Sequence, residues 1–275
     1  MRWLLLSLIS GLLLCLVVFG FRPEAAPQEH QAEKVSSEPP PGVSARPDQK
    51  ADFDPVAFLE ECLAHYDRTV RGYRCIFNKQ ERINDRLQPA EEVAVAFREK
   101  PFSVYFQWLK GARKAERALY VAGENDGMML VRPNGFIRRQ IAGDIAERDP
   151  KGSDAMGASR YPITEFGLKK GTERTLASWK RARQRHTLHV RYLGVYKVKQ
   201  LGDRECYKLE RTGYDPPEED GITELTVYID KETLLQTGSV LHGEGGKLIA
   251  EYFFRDVRLN PKFSANQFRR SALVP

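Results

Sequence analysis

Short segments in which apolar and polar residues alternate fill much of this chain, and they constrain its fold more than any other feature. In the clearest segment, large apolar residues occupy every second position: Phe102, Val104, Phe106 and Trp108. A period of two places such residues on one face of a β-strand. Turn sequences separate neighbouring segments, as Asn-Asp-Gly does at 125–127 and Pro-Asn-Gly does at 133–135. Alternating segments joined by close turns predict an antiparallel sheet.

Two helical patterns accompany the strands and predict the α+β class. Asp54 can cap the first helix, Pro55 suits its first turn, and Gly72 follows its end. The second pattern covers 162–184, with Thr164 as its cap and a basic end. After the first helix, a strand begins at Tyr73. Further strands are predicted at 93–98, 102–109, 118–121, 128–131, 189–199, 205–211, 224–229, 234–241 and 247–259.

The first part of the chain differs in composition from the rest. Residues 3–21 carry no charge and would span roughly 28 Å as a helix, which is enough to cross a bilayer core. Residues 22–51 are rich in proline and poor in large apolar residues, as in an extended, disordered linker. We therefore predict a signal anchor or a signal peptide at 1–21, a linker at 22–51 and one domain at 52–275. An anchor in the inner membrane would leave the domain on the outer side of that membrane, and cleavage would leave it soluble in the periplasm.

Charge and motifs exclude several functions. The net charge of +6 is mild for 275 residues, and no nucleic-acid-binding signature accompanies it. The motifs of hydrolases, P-loop proteins, zinc proteases and dinucleotide-binding proteins are missing, so no cofactor is predicted. If His186 and His189 both lie on a strand, they point to opposite faces, and if they bridge a helix end and a strand start, their geometry is undetermined. No metal site is predicted.

Three cysteines follow the predicted linker: Cys62, Cys75 and Cys206. Two of them can pair in an oxidising compartment, and their spacing does not choose among the three pairs. Because Cys75 and Cys206 both fall within predicted strands, we expect a disulfide between these two.

Four stretches of the domain resemble one known family. They are the helix leading into YRCIFNKQER (73–82), then REKPFSVYFQWL (98–109), NDGMMLVRPNG (125–135) and SRYPITEFGL (159–168). In this order they resemble the bacterial domain of unknown function 1571. The order of elements in that family is similar to that of periplasmic lipoprotein carriers and outer-membrane lipoprotein-sorting (LolA-like) proteins. The resemblance implies a curved antiparallel sheet, a half-barrel closed by helices over an apolar hollow, and the strand patterns above give this sheet about 10–11 strands. It transfers no catalytic residue.

A hollow of this kind needs an apolar lining and a mouth. The candidate lining residues are Tyr73, Phe77, Phe102, Val104, Phe106, Trp108 and Trp179. The same residues would also serve as an ordinary packed core. On the first strand, the face that carries apolar residues continues with the charged residues Lys79 and Glu81. The same change from apolar to charged residues along one face occurs on a later strand, at Cys206, Lys208 and Glu210. We predict that Lys79 and Glu81 form an ion pair at the rim, because no third group that would orient a catalytic pair is visible.

The preferred functional hypothesis is a membrane-anchored, envelope-facing binding module without enzymatic activity. Its ligand would be a lipid, an acyl chain or a lipoprotein segment, and the irregular region 149–168 would move to admit it. The alternative is a scaffold of the cell envelope that binds another protein and has no ligand cavity. The presence or absence of an unfilled interior distinguishes the two.

Overall fold

The alternating segments form an open antiparallel sheet in a computed structural model, which describes residues 53–214 and 221–274 together with Pro47. The strands are β1 Gly72–Ile83, β2 Arg86–Leu87, β3 Glu91–Arg98, β4 Ser103–Lys110, β5 Ala115–Val121, β6 Met129–Pro133, β7 Ala146–Arg148, β8 His189–Val198, β9 Arg204–Thr212, β10 Ile222–Asp230, β11 Gln236–Gly243 and β12 Leu248–Leu259. The helices are α1 Pro55–Thr69, α2 Phe136–Ala142, α3 Ser153–Met156 and α4 Leu168–Gln184. The predicted α+β class and antiparallel sheet are confirmed.

Two meanders meet at the centre of the sheet. The strand order is β7-β6-β5-β4-β3-β1-β12-β11-β10-β9-β8, and β2 pairs with β1 outside this path. The junction is the antiparallel pair β1 and β12, in which Phe77 lies opposite Phe254 and Lys79 lies opposite Tyr252. Among the described residues the sheet has 12 strands, compared with the predicted 10–11. The short strands β2 and β7 were not predicted, because two or three residues are too few to show alternation.

The two long helices begin for different reasons. Asp54 caps α1 as predicted, and its Oδ1 accepts hydrogen bonds from the amides of Val56 at 2.9 Å and Ala57 at 3.1 Å. The predicted cap of the second helix, Thr164, is wrong. It lies in a separate 3₁₀ turn, and α4 begins only after Gly167, whose φ of 131° only glycine adopts readily.

The sheet has an inner face, which α1 and α4 cover, and an outer face. On the inner side, Phe58 of α1 and Trp179 of α4 belong to the same buried cluster as Tyr207 and Ile229 of the sheet. A second inner cluster contains Tyr73, Phe77, Val95, Phe97 and Val104. Residues of β3–β6 with the opposite orientation form an outer cluster with the C-terminal Phe268 and Leu273. The Arg98 guanidinium stacks over the Phe268 ring at 4.6 Å, and the Tyr105 hydroxyl donates to the Ala272 carbonyl at 3.2 Å.

The expected disulfide between Cys75 and Cys206 is not formed, since Cys62, Cys75 and Cys206 are all free and buried. Cys75 lies in an inner cluster, whereas Cys206 packs with Phe253 in an outer cluster. Their strands are separated by β12, β11 and β10. This corresponds to four strand spacings of about 4.8 Å each, whereas a disulfide requires Cα atoms within about 7 Å.

Within residues 53–214 and 221–274, no helix is long and apolar enough to cross a membrane. The predicted anchor or signal segment at 1–21 lies outside the described residues, as does the predicted linker apart from Pro47. Both therefore remain predictions.

Candidate functional site

A cavity of about 470 Å³ lies on the inner side of the sheet. Its walls are formed by β1, β3–β7, β11 and β12, by the end of α2 and the beginning of α4, and by the segment 149–167, which we call the cover segment. This volume falls in the range of about 300–1,000 Å³ that small-molecule sites occupy. The inner face is therefore not filled completely by its own side chains.

Aromatic side chains form much of the cavity wall. Phe166 of the cover segment packs edge-on against Phe106 and Phe77, with ring centroids 4.7 Å and 5.2 Å apart. Phe77 also lies 4.7 Å from the Phe254 ring. Further apolar wall residues are Val93, Trp108, Ala118, Met129, Val131, Ile141 and Ile163. Such a wall favours apolar ligand surface because removing that surface from water is favourable by about 25 cal/mol per Å².

Four charged side chains form one polar region of the wall, which we call the ion network. It consists of Lys79, Glu81, Glu91 and Arg113. The Lys79 Nζ lies 2.8 Å from Glu81 Oε2 and 3.6 Å from Glu91 Oε2, and Arg113 Nε lies 2.9 Å from Glu91 Oε1. Two cationic and two anionic side chains give the network no net charge.

Uncharged hydrogen-bond donors also contact both carboxylates. The Tyr252 hydroxyl donates to Glu81 Oε1 at 2.8 Å, and Trp108 Nε1 donates to Glu91 Oε2 at 2.8 Å. Burial, followed by the nearby Glu81 carboxylate, raises the pKa of Tyr252 well above its usual range, so this phenol remains a donor. All four carboxylate oxygens of Glu81 and Glu91 thus have partners.

The ion network also holds the cover segment. Lys79 Nζ and the Ser159 hydroxyl are 3.4 Å apart, and Arg113 Nη2 donates to the Ala158 carbonyl at 2.9 Å. At the end of the segment, the amide of Leu168 donates to the Tyr73 hydroxyl at 3.2 Å. The cover segment is therefore attached to the sheet by polar contacts on one side of the cavity and by Tyr73 near the start of α4.

The structure separates the predicted lining residues into two groups. Phe77, Phe106 and Trp108 line the cavity. Four others lie elsewhere, in packed surroundings: Tyr73, Phe102, Val104 and Trp179. Tyr73 stacks on Phe97 at 4.7 Å, and Trp179 is buried beneath the other half of the sheet.

The predicted rim position of Lys79 and Glu81 is corrected by their burial. Their side chains are only 9% and 3% exposed and lie in the cavity wall, because β1 continues to Ile83 and the cover segment contacts them. The predicted shared rim with β9 also fails. Cys206 faces the outer side, so Lys208 and Glu210, which alternate with inward-facing Tyr207 and Leu209, belong to that outer side as well.

Gln236 is a cavity residue that the sequence did not single out, because it is one polar residue in a short strand. Its Nε2 donates to Thr175 Oγ1 at 3.2 Å, and Thr175 Oγ1 donates to the Gly171 carbonyl at 3.1 Å. The side chain is buried, with 7% exposure, and its Oε1 has no hydrogen-bond partner. Glu91 and Arg113 were also not predicted, since they become neighbours only through the pairing of distant strands.

Among the residues that the structure describes, no group of three or more histidine, cysteine or acidic side chains is arranged to hold a metal ion. The site consists of a cavity with aromatic walls, a neutral ion network and one unpaired amide carbonyl.

A sequence model for a family described as "Protein of unknown function (DUF1571)" matches residues 70–272. No curated protein sequence matches the chain.

Several solved structures are similar to this chain at low sequence identity. A chain from the Pseudomonas aeruginosa MucA/MucB complex is 16% identical with a TM-score of 0.47, and the match covers 80% of this chain and 62% of that one. The chain thus spans less than two thirds of that protein. The Mycobacterium tuberculosis lipoprotein LppX is 11% identical with a TM-score of 0.38, and the match covers 76% of this chain and 99% of that one. A LolA superfamily protein from Nitrosomonas europaea is 8% identical with a TM-score of 0.31, and the match covers 78% of this chain and 98% of that one. All three similarities are distant.

Proposed function

This chain belongs to the DUF1571 family, a family of unknown function, and we propose that it is a non-enzymatic binding module for a lipid, an acyl chain or a lipidated protein segment. The observation that carries this proposal is the cavity of about 470 Å³ with aromatic walls between the sheet and the cover segment. A scaffold with a filled interior would leave no such space, so the cavity favours ligand binding over the scaffold hypothesis.

The arrangement of the charged groups supports binding rather than catalysis. A general acid or base must be within hydrogen-bond reach of a reacting group and have a pKa suited to proton transfer. Here the carboxylates of Glu81 and Glu91 are already engaged by Lys79, Arg113 and neutral donors. The network is thus better suited to holding the cover segment than to transferring a proton.

We propose that the predicted segment 3–21 anchors the protein in the inner membrane and that residues 22–51 act as the linker. The domain would then work in the cell envelope and receive its ligand from a membrane or from another envelope protein. Separation of the cover segment from the sheet would widen the entrance to the cavity, and it would break the contacts of Ser159 and Ala158 with the ion network.

Native mass spectrometry of the gently purified full-length protein, together with uptake of a fluorescent fatty acid, tests this function. We expect additional lipid mass or saturable uptake. Met129→Glu places a charge in the cavity wall and should abolish uptake, whereas Val195→Glu, on the exposed edge strand β8, should leave it unchanged. A wild-type protein with neither lipid mass nor uptake contradicts the proposal.

A further inference from the structure

Gln236, which lines the cavity, carries a buried carbonyl oxygen without a hydrogen-bond partner. Its Oε1 is a buried acceptor without a partner, and buried acceptors in folded proteins are nearly always satisfied. A buried polar group without a hydrogen bond is unfavourable, so a ligand that supplies a donor at this point removes a cost already present in the empty protein.

The orientation of the Gln236 amide follows from its neighbours. Because the Thr175 hydroxyl donates its proton to the Gly171 carbonyl, its oxygen accepts from Gln236. The amide nitrogen must therefore face Thr175, and the carbonyl oxygen is the atom left unpaired. The terminal torsion of a glutamine is soft, so rotation of the amide can turn Oε1 toward the cavity that Gln236 lines.

Space exists beside this amide. Gly171 also lines the cavity, and a Cβ atom built on it meets no other heavy atom within 4 Å. A ligand group about the size of a hydroxyl or an amide can therefore occupy the corner between α4 and β11.

We infer that the cavity favours amphiphiles carrying a hydroxyl or amide N–H donor, which Gln236 Oε1 accepts, over acyl compounds without such a donor. This inference rests on the proposed lipid-binding function and adds to it the chemical class of the ligand. Acylglycerols and amide-linked acyl chains belong to this class.

Competition against a bound fluorescent acyl probe tests the inference in the full-length protein at pH 8. The competitors are monopalmitoylglycerol, which has hydroxyl donors, and methyl palmitate, which has none. We expect monopalmitoylglycerol to bind roughly three- to tenfold more tightly than methyl palmitate, the effect of one net hydrogen bond.

Two variants separate the carbonyl from the rest of the site. Gln236→Met and Thr175→Val both remove the hydrogen bond between these residues, but only Gln236→Met removes the acceptor. The preference for monopalmitoylglycerol over methyl palmitate should vanish in Gln236→Met and persist in Thr175→Val. Loss of the preference in both variants overturns the assigned role of the carbonyl.

The wild-type ranking decides the matter even if a variant does not fold. Equal affinities for the two compounds, or tighter binding of methyl palmitate, overturn the inference while leaving the lipid-binding function intact. If neither the acyl probe nor either compound binds, the proposed function itself fails, and the inference fails with it.

Discussion

Replacing Lys79 by methionine should destabilise the protein strongly, because Lys79 lies between two buried carboxylates. Its Nζ is 2.8 Å from Glu81 and 3.6 Å from Glu91, and both acidic side chains are less than a tenth exposed. Removing one partner of a buried ion pair typically costs about 3–5 kcal/mol. The Tyr252 hydroxyl and Trp108 indole still solvate the carboxylates, so we expect about 3 kcal/mol.

A double-mutant cycle of Lys79 and Glu81 tests whether the loss of stability arises from the interaction between these two residues. Glu81→Gln leaves Lys79 with Glu91 as its partner and should cost about 1–2 kcal/mol. Lys79→Met combined with Glu81→Gln removes both charges, while Glu91 keeps Arg113, so we expect a loss of only about 1 kcal/mol. The two substitutions should therefore be non-additive by about 3 kcal/mol.

Urea denaturation of the four proteins measures these free energies of unfolding. The Lys79→Met protein should also melt about 6–12 °C below the wild type, given the usual relation for a domain of this size. Single-variant losses that add to within about 0.5 kcal/mol would show that Lys79 and Glu81 do not interact as described.

Three further predictions concern exchange, volume and thiol reactivity. Arg113→Met removes a hydrogen bond that holds the cover segment on the sheet, so a bound fluorescent fatty acid should dissociate about tenfold faster in stopped-flow experiments. An unchanged dissociation rate would contradict the role of Arg113 in holding the cover segment. Gly171→Leu should fill part of the cavity and reduce uptake of that fatty acid, yet stabilise α4 by about 0.5–1 kcal/mol in urea titrations; full uptake would show that this corner is not used. In a Cys15→Ser variant, the thiols of Cys62, Cys75 and Cys206 should react with a disulfide reagent at pH 8 only after unfolding, because all three are buried. Burial also raises the pKa of Cys206 to about 12. Fast labelling of the native protein would refute this prediction.

The sequence predicted those parts of the fold that are specified locally. Asp54 and Pro55 define the start of α1, and the period of two identifies the long strands. Neither feature predicts α2, which follows the Pro-Asn-Gly turn where the pattern suggested only another hairpin. The beginning of α4 was misplaced because Thr164 resembles a cap, whereas the local backbone makes Gly167 the last residue before the helix.

The candidate site was less predictable because it depends on contacts between distant residues. Alternation correctly placed Phe77, Lys79 and Glu81 on one face, but it cannot distinguish a strand that enters water from one that enters a buried polar network. That difference depends on the cover segment, about 80 residues further along the chain. The unpaired state of Gln236 likewise depends on Thr175, which belongs to a different element.

The residues after β12 have a mechanical consequence for the binding site. Phe268 and Leu273 pack behind β3–β6, on the side of the sheet away from the cavity, and Arg98 and Tyr105 fasten them there. Because these residues support the outer face of the sheet, strands β3–β6 should resist a change of shape when a ligand binds on the inner face. Changes in the volume of the cavity should therefore come from movement of the cover segment, while β3–β6 keep a constant shape.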